Sequence, residues 1–228
     1  MTVDFAYQLM QFIVNKNQNG YLSPDNFNLV INQAQYSFMD YLLGEFQNYQ
    51  AGRPVAKVQY GNNEEVRQRL TPLIQEPYPL TIDATGHSSY PPNYQQTDAM
   101  YDIYMNRIRY VQQHKLFSYL NSKIDPISTN PIFLIQNIYY QFYPNVAYNN
   151  VPFSNAYVSY VQTPPTITWA YTTDIHGLPV YNPAGSVDPI WYDMDMLEII
   201  TRALAMVGVN LQSQEVAGYS NQIKIGGQ

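Results

Sequence analysis

The sequence predicts an α+β fold, in which long amino-terminal helices pack with a carboxyl-terminal helix, and an antiparallel β region and a β-hairpin arm are inserted between them. Two observations predict it. Apolar residues recur at the helical period near both ends of the chain, whereas the middle is rich in β-branched, aromatic and proline residues. The expected parts are helices within 1–75, a β part at 78–165, an arm at 166–188, a final helix at 189–208 and an extended tail at 209–228.

The first two helices follow from apolar periodicity. Residues 4–14 repeat apolar side chains every three to four positions, and Asn19-Gly20 ends the helix that this pattern predicts. The apolar stripe of this helix comprises Phe5, Leu9, Phe12 and Ile13, with Ala6 and Met10 beside them. Ser23 supplies an N-cap hydroxyl and Pro24 a favourable first helical residue, so a second helix is predicted from there to about Tyr49.

The second helix carries an apolar band that is wider than a one-sided surface helix needs. Its stripe comprises Phe27, Ile31, Ala34, Phe38, Leu42 and Phe46, and Val30, Met39 and Leu43 widen it. A long helix with so broad a band is expected to pack on two partners, one of which is a candidate second subunit. Phe38 and Tyr41 are therefore candidate interface residues.

A third, shorter helix is predicted after a loop at 52–61. Asn62 or Asn63 is its expected N-cap, and Pro72 and Pro77 bend or end it. The side chains expected to be buried are Val66, Leu70 and Leu73.

Strand patterns replace helical ones from residue 78 onward. The predicted strands are 80–82, 98–110, 131–143 and 156–162. Residues 107–115 are either a continuation of the second of these or a separate strand. The strand at 156–162 is the expected partner of the strand at 131–143. Both faces of the run 131–143 carry aromatic residues, so both faces are expected to be covered. Tyr139 in this run is a candidate interface residue.

The segment that follows predicts a two-stranded arm and then the last helix. Residues 167–172 and 178–181 flank a five-residue turn that contains Gly177. An isolated hairpin is only marginally stable in water, so an arm that exposes aromatic rings is expected to lean on another molecule. The candidate contact residues of the arm are Trp169, Tyr171 and Tyr181. Asp188-Pro189 is the predicted start of the last helix, which runs to about Val207 with its core stripe at Ile190, Met194, Leu197, Ile200 and Leu204.

Composition narrows the class of protein. The chain has 228 residues, no cysteine and a net charge of −6, and it lacks both an apolar run of about 20 residues and a secretory amino terminus. Only 12% of residues are charged, whereas 23 are Tyr, 21 Asn and 21 Gln. Because tyrosine gives large contact area with a polar tip, this composition favours a soluble protein that contacts other proteins or sugars. A coding habit of the source genome would produce the same composition.

Catalytic and metal-binding patterns are absent from the sequence. His87, His114 and His176 are far apart, and none has a second ligand at metal spacing. The acidic set near the last helix is Asp188, Asp193, Asp195 and Glu198. Asp193 and Asp195 would point about 200° apart on a helix, which excludes a shared acid–base site between them. We expect no enzymatic activity, no metal and no cofactor.

Tight binding of nucleic acid is also not expected. Arg107, Arg109 and Lys115 form the densest basic cluster in an acidic chain. Affinity for a phosphate backbone requires more clustered cations than these. The composition is compatible with a weakly acidic wall beside DNA that moves past it.

The order of these elements resembles the head–tail connector proteins of tailed bacteriophages, the adaptor or ring proteins, and in particular those of crAss-like phages that infect Bacteroidetes. The stretches that carry the resemblance are the helical pair 5–49 with its junction Leu22-Ser23-Pro24-Asp25-Asn26-Phe27-Asn28, the strand end Gln141-Phe142-Tyr143-Pro144, the segment 158–164 followed by Thr168-Trp169-Ala170-Tyr171, and the closing helix with 203–209. They span most of the chain. The long arm at 166–186 departs from the family pattern.

The resemblance implies a virion structural protein, without enzymatic activity, that assembles in the bacterial cytoplasm. It implies a ring, usually of twelve copies, that binds the portal protein on one side and a tail or second ring protein on the other, with DNA passing through the lumen and no membrane contact. A ring needs two different adhesive faces on each subunit. The broad second helix, the aromatic sheet and the arm are candidates for these faces.

Two other functions stay open from the sequence. A carbohydrate- or receptor-binding virion module would use aromatic faces and amide donors, and it predicts a β-dominated fold. A hydrolase of unrecognised type would use the carboxyl-terminal acids, and it predicts a pocket beside Asp193 and loss of activity on Asp193→Asn.

Overall fold

The computed structural model describes residues 1–16, 21–46, 57–121, 126–148 and 153–208, and it confirms the α+β class. The predicted tail at 209–228 lies outside the described residues. In chain order the helices are α1 (Val3–Lys16), α2 (Pro24–Phe46), α3 (Lys57–Leu70), α4 (Leu116–Leu120) and α5 (Asp193–Met206). The strands are β1 (Ile74–Thr81), β2 (His87–Ser89), β3 (Tyr94–Tyr101), β4 (Arg109–Tyr110), β5 (Ile132–Ile135), β6 (Tyr139–Tyr143), β7 (Asn155–Gln162), β8 (Tyr171–Thr173) and β9 (Pro179–Tyr181).

The chain divides into two compact units. Unit 1 comprises Met1–Pro72 and Pro164–Gln228, and unit 2 comprises Leu73–Thr163. Unit 1 therefore holds the long helices, the hairpin β8–β9 and α5, whereas unit 2 holds the other strands and α4. Among the described residues, no helix has both the length and the apolar character that crossing a bilayer requires.

Helix α2 is the centre of unit 1. Its predicted stripe is confirmed as far as Leu42, because the side chains of Phe27, Ile31, Ala34, Phe38 and Leu42 are all fully buried. The side chain of Phe46 lies outside the description. Helix α2 packs against α3 and α5, so the two partners of its broad apolar band lie within the same chain.

The predicted stripe of α1 is not its buried face, although Ala6 and Met10 beside it are buried. Phe5 and Phe12 are 55% and 66% exposed, and the side chains that α1 buries are Val3, Ala6, Tyr7, Met10 and Val14. Both sets recur at the helical period, so periodicity alone does not choose between them. The structure buries the second set because the Tyr7 ring packs edge-on against Phe27, and its hydroxyl donates to the carbonyl oxygen of Leu22.

Helix α3 and the segment after it differ from prediction at both ends. The helix begins at Lys57, inside the predicted loop, so Asn62 and Asn63 are helical and do not cap it. Residues 52–56 of that loop lie outside the described residues. Val66, Leu70 and Leu73 are buried as predicted, but Leu73 lies in a short 3-10 turn that leads directly into β1.

The last helix begins at Asp193 and not at Asp188. Asp188 instead caps α1, because its Oδ1 accepts a hydrogen bond from the backbone N–H of Val3 at 2.8 Å. The segment before the helix buries Trp191 edge-on against Phe38, with ring centroids 5.2 Å apart. The buried face of the helix also differs from the prediction. Its buried residues are Asp195, Met196, Ile199, Ile200, Ala203 and Leu204, whereas the predicted Met194 and Leu197 are exposed.

Unit 2 is built from two sheets that share one core. Strand order is β1-β7-β3 in the first sheet and β2-β6-β5-β4 in the second, and all pairs are antiparallel except β4 with β5. The shared core comprises Leu80, Ile82, Met100, Ile108, Phe133, Tyr140, Phe142, Phe153, Ala156, Val158 and Tyr160.

Two strand predictions in unit 2 are wrong because an apolar pattern continues through a turn. The predicted strand 131–143 is a hairpin of β5 and β6, closed where the N–H of Gln136 donates to the carbonyl oxygen of Tyr139. Its predicted partner, β7, pairs instead with β1 and β3.

The predicted strand 98–110 also turns. The Asp102 carboxylate accepts hydrogen bonds from the backbone N–H groups of Tyr104 and Asn106, both at 2.8 Å, and from the side-chain amide of Asn106 at 2.9 Å. These bonds stabilise the tight reversal and hold the pKa of Asp102 below its usual range, although burial acts to raise it. The predicted continuation at 107–115 contains only the short β4, and a 3-10 turn follows it.

Candidate functional site

Amide side chains on one face of α2 hold the segment that leads into the hairpin β8–β9. Oδ1 of Asn28 accepts from the backbone N–H of Trp169 at 2.7 Å, and Nδ2 of Asn28 donates to the carbonyl oxygen of Trp169 at 3.1 Å. Asn32 forms the same pair of bonds with Ile167, at 2.9 and 2.7 Å. The helix therefore satisfies backbone groups that a neighbouring strand would otherwise pair.

Gln35 extends this row by one more helical turn. Its Nε2 donates to the carbonyl oxygen of Pro165 at 3.1 Å and to Oδ1 of Asn32 at 2.7 Å, and its Oε1 accepts from Nε1 of Trp191 at 3.3 Å. Gln35 is only 1% exposed, so an unpaired amide there would be costly. We call Asn28, Asn32 and Gln35 the amide row.

The amide row can bond successive backbone groups because the spacing of its residues along the helix matches the spacing of alternate residues along an extended chain. Four residues of α-helix rise about 6 Å, and two residues of β-strand rise about 6.6 Å. Asn28 and Asn32 are four residues apart, and their partners Trp169 and Ile167 are two apart. Helical amides at this spacing can therefore follow alternate residues of an extended chain that runs antiparallel to the helix.

Trp169 is a core residue, and the prediction that the arm exposes it is wrong. Its side chain is 4% exposed, its ring lies 4.3 Å from that of Tyr7, and its Nε1–H donates to Oδ1 of Asp4 at 2.9 Å. Tyr171 and Tyr181 stack on Trp169 at 6.0 and 5.5 Å. The base of the arm is thus fastened to α1 and α2 by aromatic contacts and by the amide row.

The predicted hairpin is confirmed, and hydrogen bonds close its turn. Thr172 pairs with Val180, and the N–H of Asp174 donates to the carbonyl oxygen of Leu178 at 2.9 Å. The Asp174 carboxylate accepts from the backbone N–H groups of His176 and Leu178, both at 2.8 Å. Gly177 has φ of +78°, a conformation that glycine adopts without strain.

The far end of this hairpin is apolar and exposed. Ile175 in the turn is 94% exposed and Leu178 is 61% exposed, and Val180 is also exposed. We call these three side chains the arm tip. The base of the hairpin is held in unit 1, whereas the three side chains of the arm tip are exposed to solvent.

The six predicted interface residues fall into two groups. Phe38 and Trp169 are buried, so both are removed from the candidate surface. The Phe38 ring is fully covered by Trp191 and by the guanidinium groups of Arg69 and Arg202, which lie 5.0 and 5.6 Å from its centroid.

The other four predicted interface residues keep some exposed surface. Tyr41 is exposed and lies under the guanidinium group of Arg202, Tyr171 is exposed on β8, and Tyr181 and Tyr139 are half-buried. The exposed residues that periodicity predicted to be buried include Phe5 and Phe12 of α1, and Leu9 between them is half-buried. We call these three side chains the α1 face.

The carboxyl-terminal acids have separate structural roles. Asp195 and Glu198 both bind Arg69, at 2.6 Å to Nε and 2.8 Å to Nη2, and Arg202 also binds Glu198 at 2.9 Å. Burial acts to raise the pKa of Glu198, but hydrogen bonds from Arg202 and Arg69 outweigh it and hold this pKa below its usual range. Asp193 is exposed and contacts the amino group of Met1. Asp195 and Asp193 therefore lie in different surroundings, as their helical spacing predicted.

His87 and His114 belong to unit 2, and His176 belongs to unit 1. Nδ1 of His87 is 2.9 Å from the hydroxyl of Thr85, and its ring packs on Tyr139; it lies in the short strand β2 and not in a loop. His114 and His176 are exposed in turns. Within the described part of the chain, no group of three or more potential ligands is close enough to hold a metal ion.

A cavity of about 230 Å³ lies in unit 2 beside the Asp102 turn. Its lining includes Tyr104, Asn106, Phe153 and Asn155. The Asp102 carboxylate is already bonded to the turn that it stabilises. The only buried carboxylate of the lining is thus engaged in structure.

Comparison with protein-family models and with curated proteins gave no match to this chain.

Proposed function

We propose that this chain is a structural subunit of a ring in the head–tail connector of a tailed bacteriophage. In this proposal about twelve copies form the ring, which binds the portal protein on one side and a tail or second ring protein on the other. DNA passes through the lumen as cargo. The resemblance of the sequence to connector proteins supports this function. We place the contact between neighbouring subunits at the arm tip and the α1 face of unit 1.

The observation that carries the proposal is the arm. Its base is fixed by core residues, whereas Ile175 and Leu178 at its tip are 94% and 61% exposed. A hairpin with only two strands is marginally stable in water, and exposed apolar side chains at its end add no stability to the chain itself. A receptor on a neighbouring molecule would remove these side chains from water.

A ring also requires a second, different surface on each subunit. The α1 face supplies a candidate, because Phe5 and Phe12 lie seven residues apart on one side of the helix and are more than half exposed. Aromatic side chains that leave water at a protein contact contribute strongly to binding. In the proposed ring, the arm tip of one subunit packs on the α1 face of the next.

The proposal is tested with the portal protein encoded in the same genome. The chain and three variants are mixed with portal rings, and the portal-bound protein is measured by sedimentation and negative-stain microscopy. Ile175→Asp and Phe12→Asp each place a charge in the proposed contact, so we expect both to lower ring formation at least tenfold. Ile138→Asp is the matched control, because Ile138 is 70% exposed, between Phe12 at 66% and Ile175 at 94%, but lies in unit 2.

Retention of wild-type ring formation by both contact variants would overturn this assignment of the contact. Failure of the unmodified chain to associate with the portal would overturn the connector function itself.

A further inference from the structure

The loop that connects β3 to β4 in unit 2 is held in one strained conformation. The N–H of Met105 donates to the carbonyl oxygen of Asp102 at 3.1 Å, and the N–H of Asp102 donates to the carbonyl oxygen of Asn106 at 2.9 Å. The Asp102 carboxylate adds its three bonds to the same loop. Met105 has φ of +64°, a conformation that costs free energy for a residue with a side chain. The hydrogen bonds of the loop offset this cost.

The strained loop presents apolar side chains at the rim of a cavity. Ile103, Tyr104 and Met105 are 52%, 77% and 63% exposed. Ile103 and Tyr104 line the cavity of about 230 Å³ described above. Backbone strain concentrates at functional sites, and ligand sites are concave and largely preformed. The loop and the cavity together have these features.

The volume of the cavity limits a ligand to a single ring. A cavity of about 150 Å³ takes up benzene, so each non-hydrogen atom needs about 25 Å³. At this ratio the cavity of about 230 Å³ holds about nine atoms. Nine atoms correspond to a six-membered ring with a few substituents. Sites for drug-sized ligands are larger, about 300 Å³ or more.

The cavity offers no free charge to a ligand. Asp102 is the only side chain with a full charge among the described residues that line it, and its carboxylate is bonded to the loop. An ionic ligand would therefore find no opposite charge in this lining, and an anion would be repelled by Asp102. The lining favours a neutral ligand.

Uncharged polar side chains surround the apolar part of the cavity. Phe153, a core residue of unit 2, and the exposed Tyr104 supply aromatic surface. Amides and hydroxyls that can both donate and accept hydrogen bonds supply the polar surface. These side chains are all exposed, and they belong to Asn106, Ser128, Thr129, Ser154 and Asn155.

We propose that this cavity binds a neutral hexose, as one residue of an uncharged polysaccharide. A hexopyranose presents apolar C–H groups on the faces of its ring and hydroxyl groups around its edge. In the proposed complex the C–H groups pack on the rings of Tyr104 and Phe153. The sugar hydroxyls both donate and accept, as do the amide and hydroxyl side chains that they meet.

The number of polar groups favours a sugar over an aromatic side chain of a partner protein. A tyrosine side chain would fill a similar volume, but it brings only one hydroxyl. Most of the polar side chains of the lining would then lose water without gaining a partner, which is unfavourable. A hexose has hydroxyls on most of its ring carbons and can satisfy several of these groups at once.

The sugar site is independent of the proposed ring. It lies in unit 2, whereas the arm tip and the α1 face lie in unit 1. It is therefore expected of the free chain without a portal. Failure of the sugar to bind would leave the connector proposal untouched, and failure of ring formation would leave the sugar site untouched.

Nuclear magnetic resonance titration of the full chain tests the site. The probes are the methyl glycosides of glucose, galactose and mannose, and p-cresol represents an aromatic side chain. We expect at least one glycoside to shift the backbone N–H signals of the lining residues with a Kd of about 10 mM or lower, and p-cresol to bind more weakly. No response to any of the three glycosides, or tighter binding of p-cresol than of every glycoside, would overturn the proposal.

Three variants connect the binding to the cavity. Tyr104→Ala removes the exposed aromatic surface and Asn155→Leu replaces an amide by an apolar group of similar size, so we expect each to weaken glycoside binding about tenfold. Tyr110→Ala is the matched control, because Tyr110 is also exposed in unit 2 but does not line the cavity. Unchanged signals from unit 1 show that each variant is folded. A Tyr104→Ala or Asn155→Leu protein that binds like wild type, or an equal loss in Tyr110→Ala, would contradict the site.

Discussion

The indole ring of Trp169 lies on the ring of Tyr7, with 4.3 Å between the ring centroids. This contact joins the base of the arm to α1, and the hydrogen bonds of Trp169 to Asn28 join it to α2. Tyr171 and Tyr181 continue the stack outward. The arm is therefore anchored at its base by a buried tryptophan, and its exposed side chains lie beyond this residue.

Truncation of this anchor is expected to destabilise unit 1. Trp169→Ala removes a buried indole and its hydrogen bond to Asp4, so we expect the free energy of unfolding to fall by about 3–5 kcal/mol. Tyr104→Ala, at an exposed position, is expected to change it by less than about 0.5 kcal/mol. Urea denaturation followed by circular dichroism measures both, and equal losses would contradict the role given to Trp169.

The amide row predicts a strong response to a nearly isosteric change. Asn32→Asp keeps the acceptor for the N–H of Ile167 but replaces the donor to its carbonyl oxygen by a charged oxygen. We expect a loss of about 1–3 kcal/mol in unfolding free energy at neutral pH, because a partly buried acceptor loses its partner.

Gln33→Glu is the matched control for this variant, because it makes the same chemical change on the exposed side of α2. Thermal unfolding compares the two variants. An Asn32→Asp protein as stable as the Gln33→Glu protein would show that the amide row does not hold the arm.

The ion-pair cluster predicts a pH dependence of stability. The pKa of Glu198 is lowered in the folded chain, so its contribution is present above the unfolded pKa of about 4.3 and is lost as pH falls through the lower folded value. Glu198→Gln is expected to cost at most about 1 kcal/mol at pH 7, since the side chain is 37% exposed and solvent screens the pair.

The cost of Glu198→Gln should shrink below about pH 4, where the wild-type carboxylate becomes protonated. Glu64→Gln, at an exposed position of α3, serves as the comparison. Unfolding free energies measured from pH 3 to pH 7 decide the matter, and a cost that does not change with pH would contradict the assignment.

Local patterns in the sequence were sufficient to predict the fold class, the α2 stripe and the hairpin. The α2 stripe is buried as its spacing predicts, and the Asp174–Gly177 turn lies between two short strands. Periodicity could not identify the buried face of α1, because two different sets of its apolar residues recur at the same helical period. Phe5 and Tyr7 belong to different stripes of α1, and Tyr7 is buried by Phe27 of α2 and by Trp169, more than 150 residues away.

The contacts that hold the arm could not be predicted for a related reason. Asn28 and Asn32 stand four apart beside the apolar stripe of α2, which marks them as a polar row on a helix. Their partners are backbone groups that lie more than 130 residues further along the chain. No local pattern in the sequence pairs a helical amide with one particular extended segment.

The most direct test of the connector proposal is an electron cryo-microscopy reconstruction of the portal ring mixed with this chain. The proposal predicts a closed ring of repeated copies on one face of the portal, with the arm tip of each copy on the α1 face of the next. A portal without added density, or with single copies that do not touch one another, would contradict it.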